Sequence, residues 1–440
     1  MIIRITIENL YSFNEETEIS FVAGKSDCHK EHICKGVKRD DISLLKAGVI
    51  YGANASGKSN IVRAVALLRD IALRGVRRQR VSPFKLAASE RPSKVEIELK
   101  AKGKYYAYGC EFTGRGITEE WLYEINKRAD KLVFTRKTNE EGNEMAFGKI
   151  EGDKDNGQLA KFIAQATPKT DSFLSEYVRR NGKGMEAVKT VYGWMKNCLH
   201  IIYPESHILD LSLHVEKNKE FALATKALLE YFNTGIADIR RIRIEQKDVE
   251  LPAKLMNEIT EEAEPNRRRM FSVDRKTYFF DTDKDGQTTI YEQKTVHLNA
   301  QKEGIVFDME EESDGSLRLM DFIPMLLSFQ MGEAVFIVDE IDRSMHPMMT
   351  LEILKCYFKL LSPDRNTQLI CTTHESNLLD MNLLRADEVW FAEKDTLGAS
   401  RLTSLAEFKP REDVRKGYLQ GRYGGIPFFA KTKDLKWNEE

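Results

Sequence analysis

The sequence predicts an α/β fold with a mostly helical insert, on three observations. Short apolar runs that read as buried strands lie toward both ends of the chain. One of them, Ala47-Gly48-Val49-Ile50-Tyr51, leads directly into a glycine-bearing loop and then a helical pattern. From about residue 157 to residue 264 the pattern changes to helix. The reading is one α/β core, split in sequence and closed in space around an insert.

Ile2 to Ile7 alternates and is β-branched, so it opens the chain as a strand. After the Ala47–Tyr51 run, Ile61, Val65, Leu68 and Ala72 recur at helical spacing, with a stop near Gly75. Val95 to Leu99, Lys104 to Phe112 and Trp121 to Phe134 read as strand-rich. Within the helical stretch, Leu228, Tyr231 and Phe232 share a face. Lys276 to Thr282 and Gln287 to Gln293 look like a hairpin, and Leu317 to Gln330 an amphipathic helix. Val335 to Val338, Gln368 to Thr373 and Glu388 to Ala392 read as strands, with a helix through Leu351, Leu354, Phe358 and Leu361. The expected divisions are an N-terminal lobe at 1–150, an insert at 151–300 offering a partner or nucleic-acid surface, and a C-terminal lobe at 301–440.

Composition narrows the function classes. With 67 Lys+Arg against 69 Asp+Glu, the net charge of −2 argues against a strongly basic DNA-coating protein. Apolar residues at 42% are enough for a sizeable core. No apolar run approaches the length of a membrane span, and the first residues lack a signal-peptide pattern. Six cysteines form no visible disulfide framework, so the expected compartment is the cytoplasm.

The strongest motif is Gly52-Ala53-Asn54-Ala55-Ser56-Gly57-Lys58-Ser59, which fits G-x-x-x-x-G-K-[ST] between a strand and a helix. Its backbone N–H groups can face phosphates, and the following helix N-terminus adds positive charge. Lys58 is expected to reach the β/γ-phosphates of ATP, and the Ser59 hydroxyl to bind Mg²⁺. The Val335–Val338 strand ends in Asp339 and Glu340. Asp339 is expected to hold Mg²⁺ through its water, and Glu340 to polarise the attacking water. Glu312-Ser313-Asp314-Gly315-Ser316 precedes a helix leading to that strand. In isolation it would serve as a helix N-cap. Cys371-Thr372-Thr373-His374 closes a further buried strand.

These motifs resemble the ABC-type ATPases, in the SMC/RecF/OLD-like branch. The resemblance implies the fold of an ABC-ATPase head: a P-loop core sheet with flanking helices and an antiparallel β subdomain. It implies a head-to-tail homodimer, or a higher oligomer, with two ATPs at the interface. Ser313, Gly315 and Ser316 of one subunit would then act in trans on nucleotide bound by the other, and His374 would be a switch histidine on the γ-phosphate. Tyr51 to Asn60, Asp339-Glu340-Ile341-Asp342, Thr372-Thr373-His374 and Lys416 to Pro427 further resemble the AAA-group, ABC-type ATPases that include RloA and the AbiL ATPase of phage-defence systems. Asp342 to Pro347 resembles the family's dimer-contacting loop, with His346 in a structural role. The family's Q-loop glutamine has no clear counterpart, and Gln79 is a poor match. The Lys416–Pro427 segment carries no derivable chemistry.

Three functions fit, in decreasing weight. The first is an ATPase subunit of an anti-phage abortive-infection or restriction system, controlling a separate Toprim-like or HNH-type nuclease. Few residues follow His374, so a Toprim domain is not expected within the sequence. The second is a RecF/SMC-like repair ATPase clamping DNA, and the third an ATP-dependent scaffold sequestering an effector. Arginine clusters at 74, 77, 78 and 80, at 179 and 180, at 240, 241 and 243, and at 267–269 could contact nucleic acid. Two metal-like patterns read as decoys. Asp281 to Glu292 matches an EF-hand loop, but its flanks look like strands. Cys28, His29, His32 and Cys34 are too tightly spaced for a usual zinc site.

Overall fold

The computed structural model describes residues 1–36, 42–76, 81–87, 91–139, 142–152, 154–206, 211–261, 264–273, 275–328, 332–362, 365–410 and 413–426. The chain divides into two compact units. The first comprises Met1–Pro204, Gly332–Asp342 and Tyr357–Glu440; the second comprises Glu205–Met331 and Arg343–Cys356. The first unit therefore continues well past residue 150, because helices Phe173–Arg179 and Glu186–Asn197 belong to its core.

The first unit holds two main sheets. A six-stranded sheet runs in the order Leu199–Ile202, Ala334–Val338, Thr367–Thr373, Ala47–Gly52, Val389–Lys394, Ser400–Ser404. All its pairings are parallel except the last. Strands buried on both faces favour apolar sequence, as Ala334–Val338 and Ala47–Gly52 show, while Thr367–Thr373 is buried throughout with Gln368, Thr372 and Thr373 hydrogen-bonded. Ala47–Gly52 comes from one end of the sequence and its neighbours Thr367–Thr373 and Val389–Lys394 from the other. The core is split in sequence and closed in space, as expected.

The second sheet has seven antiparallel strands, ordered Gly142–Phe147, Lys131–Asn139, Gly116–Ile125, Lys104–Thr113, Ser93–Ala101, Ile2–Glu8, Thr17–Ser20. The stretch read as Trp121–Phe134 thus divides into two strands. Gln368 ties the two sheets. Its side-chain amide accepts from the Ile2 amide at 2.7 Å and donates to the Ile2 and Leu45 carbonyls at 3.0 and 2.9 Å. Helix Lys58–Arg74 lays Ile61, Val65, Leu68 and Ala72 into the shared core and stops at Gly75.

Residues 151–300 are mostly helical and end in the expected hairpin, Lys276–Thr282 against Thr288–Leu298, but the second unit also carries strands inside the stretch expected to be helix. Five strands form a sheet there: Ile236–Ile244, Thr288–Leu298, Lys276–Thr282 and Arg268–Val273 in order, with Gly304–Asp308 also paired to Thr288–Leu298. Ile236-Ala237-Asp238-Ile239-Arg240-Arg241-Ile242-Arg243-Ile244 is a β-branched, half-buried strand that lies inside the 157–264 stretch expected to be helical. Helices Leu211–Lys217, Lys219–Tyr231, Ala253–Glu261 and Asp314–Ser328 accompany the sheet. The expected Leu317–Gln330 helix begins earlier, at Asp314. Among the described residues, no helix is long and apolar enough to cross a membrane.

Candidate functional site

The carboxyl ends of three adjacent parallel strands bring the motifs together. Ala47–Gly52 leads into the phosphate loop, Thr367–Thr373 ends before His374, and Ala334–Val338 ends before Asp339. Open parallel sheets place ligand crevices at such ends. The loop is shaped by two residues in the left-handed region, Ala55 at φ 63° and Gly57 at φ 106°. A side chain at Gly57 would meet Ser400 Oγ at 2.1 Å and Ser12 Oγ at 2.7 Å, so glycine is required there. Asn54 and Ala55 are exposed at the loop tip, and Ala53 is half-buried.

Three side chains absent from the motif hold the loop. Ser400 Oγ donates to the Ser56 carbonyl at 2.7 Å and lies 2.7 Å from Ser12 Oγ. Asn60 Nδ2 donates to Ser12 Oγ at 2.8 Å. Phe391 stacks on Tyr418 and Tyr423, with ring centroids 5.4 and 5.7 Å apart. The Lys416–Pro427 segment thereby packs behind the loop strand, and Tyr418 Oη donates to the Gly425 carbonyl at 3.1 Å. Pro427 lies outside the described residues.

Lys58 Nζ donates to the carbonyls of Gly52 and Ala53 at 2.8 and 3.0 Å, and lies 3.4 Å from His374 Nδ1. Burial lowers its pKa to about 8, although the carboxylates of Glu340, Asp339 and Asp342 pull the other way. Burial, and then the Lys58 charge, holds the His374 imidazole below its usual value. Ser59 Oγ and Thr372 Oγ1 donate to Asp339 Oδ1 at 3.0 and 2.7 Å. The Glu340 amide donates to Thr372 Oγ1 at 2.8 Å, with Glu340 itself at φ 50°. A non-glycine residue in that region stores about 1–2 kcal/mol, a strain typical of working sites. Asp342 steadies the next strand end: its carboxylate accepts from Thr373 Oγ1 at 2.7 Å and from the His374 amide at 3.3 Å.

These residues fit a nucleotide and a magnesium ion. Ser56 Oγ is buried with no hydrogen-bond partner among the described residues and lies between the left-handed Ala55 and Gly57, in a loop whose backbone can turn N–H groups toward an anion. Ser59 and Asp339 supply the hard oxygen donors Mg²⁺ prefers.

The signature residues lie in the second unit. Ser313 Oγ accepts from the Ser316 amide at 3.1 Å and caps helix Asp314–Ser328. Ser313 is exposed, while Gly315 and Ser316 are half-buried. Glu312 accepts from Thr295 Oγ1 at 2.5 Å and lies 2.7 Å from His297 Nε2. His346 Nδ1 accepts from the Met348 amide at 3.2 Å, a local turn contact.

Among the described residues, most arginines of the expected basic clusters meet carboxylates. Arg179 and Arg180 pair with Glu176 at 2.7 and 2.8 Å, and Arg267 with Glu264 at 2.5 Å. Arg240 pairs with Asp238 at 2.8 Å, and Arg241 with Glu216 and Asp281 at 2.5 and 3.0 Å. Arg77, Arg78, Gln79 and Arg80 lie outside the described residues. Asp281 is held by Arg241 and Arg268 between two strands, so the helices an EF-hand requires are not there.

The family model described as "AAA domain, putative AbiEii toxin, Type IV TA system" matches residues 49–172 and 196–380, more than half of the chain. The chain belongs to that family. No curated protein sequence matches it. Among solved structures it is similar to an SMC head bound to the C-terminal winged-helix domain of ScpA, at 13% identity and a TM-score of 0.42, covering 92% of this chain and 99% of that one. It is also similar to the SMC head domain from Thermotoga maritima, at 12% identity and a TM-score of 0.35, covering 92% and 98%.

Proposed function

We propose that this chain is an ATP-binding and ATP-hydrolysing subunit of an anti-phage defence system, which dimerises around ATP and controls a separate nuclease of Toprim-like or HNH type. One observation carries the ATPase part: Lys58, the Ser59–Asp339 hydrogen bond, Glu340 and His374 converge at three neighbouring strand ends. The family description, which names a toxin–antitoxin system, supports the defence part.

In this reading Lys58 turns its ammonium from the Gly52 and Ala53 carbonyls to the phosphates. Ser59 would hold Mg²⁺ directly and Asp339 through its water, and the ion would supply charge neutralisation. Glu340 orients the attacking water, and His374 hydrogen-bonds the γ-phosphate. Ser313, Gly315 and Ser316 complete the site from a second subunit. Ser313 is exposed at a helix N-terminus, which suits that task. The carboxylate pairing of most of the described cluster arginines weighs against a DNA clamp as the primary activity.

The test is capture of tagged Glu340→Gln protein with ATP from its native host, with a nuclease digest as control and mass spectrometry as readout. A co-captured nuclease that survives the digest is the expected result. DNA without a stable protein partner would overturn the effector reading in favour of a clamp.

A further inference from the structure

A separate cluster lies in the first unit, around the short turn Lys30–His32. One ring nitrogen each from His29 and His32 and one carboxylate oxygen of Glu31 lie within 4.8 Å of one another. His29 Nδ1 is 3.3 Å and His32 Nε2 3.8 Å from Glu31 Oε1. The opposite nitrogens are both engaged. His29 Nε2 is 2.9 Å from the Met381 carbonyl, and His32 Nδ1 is 3.0 Å from Glu388 Oε1. The rings are also fixed by stacking, His29 on His32 at 4.9 Å and His32 on Phe358 at 3.9 Å.

A carbonyl oxygen only accepts, so His29 Nε2 donates to Met381. Glu388 lies 3.0 and 3.2 Å from His32 Nδ1 through its two oxygens and is itself held by the Arg385 amide at 2.8 Å, which fixes the orientation of that ring. His29 Nδ1 and His32 Nε2 are left facing the Glu31 carboxylate. Imidazoles whose outer nitrogens are tied to a carboxylate and a carbonyl are the usual support of a metal site.

We propose that His29, Glu31 and His32 bind a divalent transition-metal ion of the zinc class, with Glu388 and the Met381 carbonyl orienting the two rings. Two imidazoles and one carboxylate suit zinc and leave a position for water. Glu31 is largely exposed and can swing the short distance needed to close the set. The site differs from the four-residue pattern seen in the sequence. Cys34 Sγ donates instead to Asn366 Oδ1 at 3.2 Å, and exposed Cys28 is outside the set. Its role is structural: the ion would join the turn near the N-terminus to the segment running from Met381 to Glu388.

The test uses the full chain, stripped with a chelator and kept in excess Mg²⁺ so that Ser59 and Asp339 do not compete. Zn²⁺ is titrated against a chromophoric chelator, and Co²⁺ is added separately to read visible ligand-field bands. One tight equivalent is expected. His29→Ala and Glu31→Gln should each weaken it about tenfold or more, while Cys28→Ser and Cys34→Ser leave it unchanged. Circular dichroism of each variant separates lost binding from lost fold. Glu31→Gln, at an exposed carboxylate, keeps the test valid if a histidine variant does not fold. No tight equivalent, unchanged affinity in Glu31→Gln, or loss in Cys28→Ser would each overturn the proposal.

Discussion

Lys58 shows how one side chain couples burial to ligand charge. Its pKa of about 8 means that the nucleotide-free protein loses the ammonium within an accessible pH range. On the proposed function ATP binding requires that charge, so above pH 8 binding would take up a proton. The expected outcome is an apparent affinity that falls toward tenfold per pH unit between about pH 8.5 and 10, steeper than for a lysine with an ordinary pKa. A fluorescent ATP analogue titrated at several pH values measures it, and Lys58→Ala should bind too weakly to give a curve. The strand–loop–helix that carries Lys58 was legible in eight consecutive residues, because a phosphate loop needs its glycines, lysine and hydroxyl at fixed offsets. Ser12 and Ser400 were not legible. Each is an ordinary serine in sequence, and only the fold brings them 2.7 Å apart beneath Gly57.

At the scale of elements, the buried strands were legible because strands covered on both faces carry a run of apolar residues, as short as Leu369-Ile370-Cys371 in Thr367–Thr373. The strand Ile236–Ile244 was not, since its isoleucines at 236, 239, 242 and 244 satisfy a helical spacing nearly as well as a strand's. Glu120 illustrates a second limit. In sequence it looks like a solvent-facing strand residue, yet its side chain is fully buried. It pairs with Arg136 at 3.1 Å and accepts from the Phe173 and Leu174 amides at 2.8 and 3.1 Å. The carboxylate thus joins the antiparallel sheet to the start of helix Phe173–Arg179. Glu120→Ala would leave Arg136 buried without its carboxylate. A loss of about 3–5 kcal/mol is expected, measured as a lower urea midpoint at unchanged slope. Glu120→Gln, which keeps the acceptor oxygen, should lose less.

For the molecule as a whole, the proposal requires two chains, because the signature residues act in trans. Glu340→Gln protein with ATP and Mg²⁺ is expected to sediment as a dimer, and as a monomer without ATP. Adding Ser313→Arg to that background should abolish the dimer while leaving ATP binding within about twofold, since the proposal puts the exposed Ser313 on the partner's nucleotide rather than its own subunit's. Analytical ultracentrifugation separates these outcomes, and a dimer that persists in Ser313→Arg would argue against the sandwich. The central claim is hydrolysis at the convergence of Lys58, Asp339, Glu340 and His374. Its most direct test is phosphate release from ATP and Mg²⁺ by the unaltered chain and by Glu340→Gln, with nucleotide binding measured on both. The account expects turnover by the unaltered chain and about 100-fold or greater slowing in Glu340→Gln, with binding retained. Equal rates in the two proteins would contradict it.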